Sequence, residues 1–313
     1  AVRIGTLRWI RPIRPIPIEA DSCRIGNRFG SSTMYPNLVN LFGVQITTYG
    51  LMVALAFAGL WLTTVSRGVK LGYSQEFIQN LITVIVLSAF VSARALHVMV
   101  DWDAYSANPW QILFSRDGYV FLGGFVGAVA MAVWFTRRHG QSVWGVADLF
   151  APYLAMAQGI GRIGCLLFGC CYGRVCELPW AVRFPEGSPA FYDHMAHGLL
   201  GAEAHASLPV HPTQIYMSLF NFAHFGILLF IRKHQTFRGQ LAVSYLMIYS
   251  TGRFGLEYFR GDYRGGWMDF STSQLISILL FGVGLAGFMI LRRKAFPPDT
   301  VRVDAPAAQT KGT

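Results

Sequence analysis

Seven runs of mostly apolar residues set the limits on what this chain can fold into. They lie at 46–65, 78–100, 119–136, 146–168, 212–231, 240–259 and 272–291. A helix needs about 20 such residues to cross a bilayer core. Inside lipid a backbone must satisfy its own hydrogen bonds, which a helix does and an open loop does not. The pattern predicts an all-α polytopic membrane protein with seven transmembrane helices. Composition is consistent: 53% of residues are apolar and 13% charged, against about a quarter charged in soluble domains.

Charge placement gives the topology. The formal net charge is +10, which in a soluble chain would suggest nucleic acid. Here Lys and Arg cluster between apolar runs, as orientation signals do, so no nucleic-acid partner is expected. Arg67 and Lys70, Arg137 and Arg138, then Arg232, Lys233 and Arg238, and finally Arg292, Arg293 and Lys294 mark alternate connections as cytoplasmic. The others carry Asp101, Asp103 and Asp117, or the mixed set Asp262, Arg264 and Asp269, and face outward. This places the N-terminus out and the C-terminus in. The long connection 169–211 contains Pro179, Pro185, Pro189 and Pro209 and cannot be one helix; it is expected as a periplasmic excursion. No internal repeat is visible, which argues against a repeat-built transporter.

Residues 1–33 hold six arginines and no lysine, with no apolar run ending in a small-residue cleavage site. They would lie on the wrong side of the membrane, and Met34 reads as a natural start. Residues 1–33 are therefore expected to be a disordered leader or non-native extension. Residues 34–294 form the seven-helix domain, and 295–313 a disordered cytoplasmic tail.

A charge at the centre of a span costs about 2.5–3.5 kcal/mol on insertion scales, so it faces protein or water and marks a function. Arg94 and His97 lie in the second span, Asp148 and Arg162 in the fourth, Arg253 and Glu257 in the sixth, with Arg260 just beyond. Arg253, Glu257 and Arg260 are spaced four and three apart and share a helix face. They fit either a structural ion pair or an anion site in which Glu257 orients Arg253 and a guanidinium forks onto phosphate. Arg162, set among glycines in "GIGRIG", is a second intramembrane arginine near the same leaflet, and the two suggest a shared phospholipid headgroup. Asp148 is expected to be structural, paired with a loop arginine. His97 and His224 read as satisfied core histidines. His211 precedes Pro212, where a helix starts, and is either a polar participant or a capping residue.

Cys165, Cys170, Cys171 and Cys176 fall in a C-x4-CC-x4-C pattern. It lacks the C-x2-C spacing of common zinc sites, so no metal and no dissociable cofactor is expected. A Cys171–Cys176 disulfide is reasonable at an outer face, Cys165 reads as a small buried apolar residue, and a thiol beside Arg162 or Arg174 would be reactive.

The motifs GRIG-x4-GxxYGR (161–174), LPWAVRFP (178–185), HPTQIY (211–216) and GRFGLEYFR (252–260), with TYGLM (48–52) and LGGFVGA (122–128), occur in that order. Together with the seven-span layout, they make the chain resemble the bacterial prolipoprotein diacylglyceryl transferase family over residues 34–294. The resemblance implies a multi-pass protein of the bacterial inner (cytoplasmic) membrane. It would move the diacylglyceryl group of phosphatidylglycerol onto the lipobox cysteine of a preprolipoprotein, forming a thioether. It implies that Arg162 holds the phosphatidylglycerol headgroup and that Arg253 with Glu257 stabilises the departing phosphate. Arg260 shares the lipid-binding face of that pair. Tyr49 and His211 fall on catalytic motif positions, and Gly173 and Arg94 on lipid-binding ones. Three positions depart from the family pattern: Leu122 replaces the usual His of the third-span motif, Cys165 the usual Asn, and Gly169-Cys170 the usual Gly-Glu. Loss of an acid–base group typically costs about 10²–10⁴ in rate. Two other readings stay open: a thiol-dependent lipid transferase or acyltransferase using Cys170 or Cys171, and a non-catalytic phospholipid-binding paralogue.

Overall fold

The computed structural model describes residues 37–41, 44–107, 110, 118–201, 203–261, 266–267 and 270–294. The expectations for residues 1–33 and 295–313, and for Asp117, Asp262, Arg264 and Asp269, lie outside the described residues. A short antiparallel pair, β1 (Asn37–Leu41) and β2 (Val44–Thr47), leads into the first helix. The helices are α1 (Thr48–Lys70), α2 (Gln75–Val100), α3 (Trp102–Ala107), α4 (Phe121–Arg138), α5 (Val143–Phe168), α6 (Pro189–Ala196), α7 (Thr213–Lys233), α8 (Gln240–Glu257) and α9 (Thr272–Lys294). A two-residue pair, β3 (Gly266–Trp267) and β4 (Phe270–Ser271), precedes α9.

Each apolar run has become a long helix, shifted by only a few residues. The first run starts two residues late, because Ile46 and Thr47 belong to β2. Thr47 then caps α1, its hydroxyl accepting from the Gly50 amide at 3.1 Å. Ser74, Ser142 and Ser188 cap α2, α5 and α6 in the same way, as short hydroxyl side chains do at orphan helix N–H groups. Among the described residues, four helices are long and apolar enough to cross a membrane: α1, α2, α7 and α9. The remaining long ones are more polar, α4 ending in Arg137 and Arg138, α5 holding Asp148 and Arg162, and α8 holding Arg253 and Glu257.

Small residues let the helices approach. Gly123 and Gly127 of α4 press on Ser92 and Leu96 of α2, where a Cβ would come within 2.6 Å of the Ser92 carbonyl and 1.9 Å of its hydroxyl. Gly164 of α5 meets Met52 and Tyr49 of α1, Gly159 meets Phe222 of α7, and Gly284 of α9 meets Met247 of α8. Close backbone packing at glycine is the usual source of helix association where lipid removes the hydrophobic driving force. The glycines of the third-span motif are therefore packing residues.

Asp148 is structural, and its hydrogen bonds go to the start of α8 and the loop before it: Oδ2 accepts from the Gly239 amide and from Gln235 Nε2, each at 2.6 Å, and Oδ1 from the Ala242 amide at 2.9 Å. A carboxylate at a helix N-terminus satisfies orphan donors and opposes the positive end of the dipole. The histidines divide. His97 pairs with Asp101 at 3.3 Å. His224, fully buried, stacks on Tyr245 with ring centroids 4.9 Å apart and has no hydrogen-bond partner at either ring nitrogen among the described residues.

The 169–211 connection is a folded unit. Val182 and Val210 exchange backbone hydrogen bonds at 3.0 Å, and Phe184 is held by Ser207 through its amide and carbonyl. Phe184, Val210, Ala190 and Tyr172 form its core. Within it, His194 Nδ1 accepts from the Leu208 amide at 3.2 Å, and burial pulls His194 below its ordinary value near 6.5.

Two outcomes are expected. Asp148→Ala should cost about 3 kcal/mol by orphaning charge-assisted donors, read as a lowered Tm in detergent; an unchanged Tm would contradict the capping role. The unfolded chain protonates His194 before the fold does, so stability should fall as pH drops below about 6.5. The fall between pH 6.5 and 5 should be shallower in His194→Gln, and equal slopes would contradict the assignment.

Candidate functional site

The last turn of α8 and the residues just past it carry two arginines around one carboxylate. Arg253 Nη1 lies 2.7 Å from Glu257 Oε2, and Arg260 Nε lies 3.9 Å from the same oxygen. All three residues are over nine-tenths buried. The start of α9 completes the arrangement: Ser273 accepts from Arg253 Nη2 at 2.9 Å, and the Ser271 hydroxyl donates to Glu257 Oε1 at 2.9 Å. Glu257 thus meets Ser271 through a hydrogen bond at one oxygen and Arg253 through an ion pair at the other.

Arg162 comes from a different helix, α5, and lies close enough to Arg253 for the two charges to interact. It is half-buried. No hydrogen bond or ion pair engages its guanidinium among the described residues. Arg253 and Arg260 thus meet Glu257 while Arg162 lies beside Arg253, and a planar guanidinium fork suits phosphate.

Three backbone segments frame this group. The Gly173 amide donates to the His211 carbonyl at 3.0 Å, the His211 amide to the Arg174 carbonyl at 3.0 Å, and the Arg174 amide to the Phe259 carbonyl at 2.9 Å. Thr213 Oγ1 and Gln214 Nε2 donate to the carbonyls of Cys171 and Cys170, each at 2.8 Å. Residues 170–174 are thereby stitched between the HPTQ start of α7 and the end of α8. Gly173 is required by the approach: a Cβ there would lie 2.6 Å from the Phe259 carbonyl and 2.7 Å from that of His211.

The end of α5 is a Schellman turn. Gly169, with φ of +80°, sends its amide to Leu166, and the Cys170 amide reaches the Cys165 carbonyl at 3.1 Å. This closure sets the side chains flanking the turn against each other. Here they are the thiols of Cys165 and Cys170. Cys171 follows with φ of +61°, and the three sulfurs lie within 4.8 Å of one another. Hydrogen bonding from Cys165, Cys170 and Arg260 holds the Cys171 thiol well below its ordinary value, while the Cys165 and Cys171 sulfurs push Cys170 up. No disulfide joins the described cysteines, so the Cys171–Cys176 pair expected from sequence is not made. Cys176 instead bonds through its amide to the Pro209 carbonyl.

Of the residues singled out in the sequence, Arg162, Arg253, Glu257 and Arg260 come together, with Gly173 and His211 in the framing backbone. Tyr49, at the start of α1, lies near Arg162 and the three thiols. His211 packs its ring against Phe259 and Tyr216, with Nδ1 3.4 Å from the Tyr216 hydroxyl. Arg94 has different contacts: it donates to the Gly118 carbonyl at 3.1 Å and lies over the rings of Tyr105 and Tyr119. Leu122 is an exposed side chain on α4. Sequence reasoning missed Ser271, Ser273, Thr213 and Gln214. The last two lie in the HPTQIY motif itself, but their target, the carbonyls of the double cysteine, has no sequence signal.

Comparison with known proteins gives a consistent result. A family model described as prolipoprotein diacylglyceryl transferase matches residues 36–290. The chain is 34% identical over 259 residues to a protein of Clostridium tetani named phosphatidylglycerol–prolipoprotein diacylglyceryl transferase, covering 83% of this chain and 98% of that one. A Clostridium perfringens protein of the same name, numbered 2, is 34% identical over 260 residues, 82% of this chain and 95% of its own. One from Bacillus cereus is 34% identical over 255 residues, 80% and 89%.

Gly173→Ala should open the three-segment frame at a cost of about 2 kcal/mol. The expected sign is faster protease cleavage in the 169–211 unit with the long helices intact by circular dichroism. Wild-type cleavage rates in the variant would contradict the close approach.

Proposed function

This chain belongs to the prolipoprotein diacylglyceryl transferase family, and from that premise we propose that it transfers the diacylglyceryl group of phosphatidylglycerol to the lipobox cysteine thiol of preprolipoproteins. A carbon–sulfur thioether bond forms, the glyceryl carbon–oxygen bond to phosphate breaks, and glycerol phosphate leaves. The observation that supports this reading is Arg162 on α5, half-buried beside the Arg253–Glu257–Arg260 group and without a hydrogen bond or ion pair among the described residues.

In this reading Arg162, which no group among the described residues engages by hydrogen bond or ion pair, holds the phosphodiester of the lipid. Arg253 and Arg260 stabilise the phosphate as the carbon–oxygen bond breaks and charge builds on the leaving oxygen, where fixed donors are most effective. Glu257 keeps the two arginines in place between turnovers. Gly173 lets the 170–174 segment close on His211 and Phe259 beside the headgroup, Tyr49 borders the site from α1, and His211 takes the thiol proton where Leu122 offers no base. Arg94 enters as a lipid contact through the family motif, with part of its guanidinium committed to Gly118.

The proposed setting is the bacterial inner membrane, crossed seven times with the N-terminus out and the C-terminus in. Basic last turns on α1, α4, α7 and α9 support it, since positive charge collects on the cytoplasmic side. The arginine group would then lie toward the outer leaflet, where a lipoprotein precursor presents its cysteine. Phosphatidylglycerol and preprolipoproteins are the proposed partners.

The test is complementation of a bacterial strain depleted of its own transferase, with mass spectrometry of a lipobox peptide. A diacylglyceryl mass gain is expected, falling at least about 100-fold for Arg162→Ala. A well-inserted protein that gives no mass gain would overturn the reading.

A further inference from the structure

The thiols of Cys165, Cys170 and Cys171 have no place in the mechanism above, yet they sit beside it. The Schellman turn at Gly169 sets Cys165 against Cys170, and the left-handed Cys171 brings the third sulfur back to them. A non-glycine residue in that conformation costs about 1–2 kcal/mol. Thr213 and Gln214 hold the Cys171 and Cys170 carbonyls, so the loop is fixed from outside the cluster. Tyr49, Arg162 and Arg260 surround the sulfurs.

Tetrahedral zinc has zinc–sulfur bonds near 2.3 Å, which set its sulfurs about 3.8 Å apart. Three sulfurs within 4.8 Å of one another need only rotamer adjustment to reach that spacing. Three thiolates carry −3 and zinc +2, and the adjacent arginines offset the remaining charge. A catalytic zinc characteristically has three protein ligands and one open position.

We propose that Cys165, Cys170 and Cys171 form a three-thiolate seat for a zinc-type cation whose fourth position takes the thiol of the incoming lipobox cysteine. This rests on the transferase reading. Coordination deprotonates a thiol outright, and the thiolate is the nucleophilic form. The lipobox thiol binds the cation and passes its proton to His211. Its sulfur then attacks the glyceryl carbon of phosphatidylglycerol, a carbon–sulfur bond forms, and the carbon–oxygen electron pair leaves with glycerol phosphate. The thioether product, a weaker ligand than a thiolate, departs. No oxidant or reductant is needed. The cluster thus supplies the thiol activation that Leu122 cannot.

The test uses the full chain in detergent with its thiols reduced and counted, titrated with Co²⁺ as the spectroscopic probe. About one Co²⁺ per chain should bind with the intense absorption of a tetrahedral sulfur-rich site. Affinity should fall roughly 100-fold in Cys170→Ser and in Cys165→Ser but not in Cys176→Ser. A lipobox peptide should shift the spectrum, and its Cys→Ser counterpart should not. Absence of binding by fully reduced protein, equal binding by the cluster variants, or an unmoved spectrum would overturn the proposal. So would a disulfide among the three cysteines in protein purified under thiol-blocking conditions. Diacylglyceryl transfer measured alongside separates the two claims. Full transfer after metal removal would sink the zinc role and leave the transferase reading standing. A peptide-responsive site with no transfer at all would sink the reading itself.

Discussion

Glu257 is the residue on which the site's electrostatics depend. Two buried arginines at the end of α8 would repel each other and resist leaving water. One carboxylate, fixed by Ser271 at one oxygen and by Arg253 at the other, makes their burial tolerable. Arg162, added from α5, lies beside Arg253 with no hydrogen bond or ion pair among the described residues, and a phosphodiester is the group proposed to meet it. Removing the carboxylate would therefore disturb both packing and ligand binding, whereas removing Arg162 would reach the ligand alone.

The backbone around this group follows from the same need for proximity. A headgroup-sized anion must be met by α5, α7 and α8 at once, and the link is the 170–174 segment. It runs between His211 and Phe259 by backbone hydrogen bonds, and only glycine at 173 fits there. The 169–211 unit, with its own small core around Phe184 and Val210, anchors that segment from the other side. Closely packed glycines along α1, α4 and α5 hold the helices that carry it.

Much of this was legible in the sequence. Each apolar run became a helix because length and hydropathy act over twenty residues and tolerate local irregularity. The three-residue and four-residue spacing of Arg253, Glu257 and Arg260 fixed their common face, and the structure makes the ion pair. What failed was long-range or depended on chain direction. Charge alone suggests an arginine for Asp148, whereas the backbone amides that reach it, Gly239 and Ala242, lie 91 and 94 residues away. The β1–β2 pair is hidden because Ile46 and Thr47 read as the start of the helix run that follows. The C-x4-CC-x4-C spacing lacks the knuckle pattern of common zinc sites, yet a helix-ending turn gathers three of its sulfurs, and turn geometry is invisible in residue spacing. Arg94 has its motif position, but its contacts with Gly118, Tyr105 and Tyr119 could be found only in three dimensions.

The central claim is that surplus guanidinium charge forms a phospholipid site built on Arg162. Native mass spectrometry of the full chain, released from membranes containing phosphatidylglycerol and diacylglycerol, tests it most directly. The account predicts one retained phosphatidylglycerol on the wild type. Retention should drop sharply in Arg162→Lys, where charge survives but the planar fork does not. Equal retention by the two proteins, or retention of diacylglycerol as readily as phosphatidylglycerol, would contradict it.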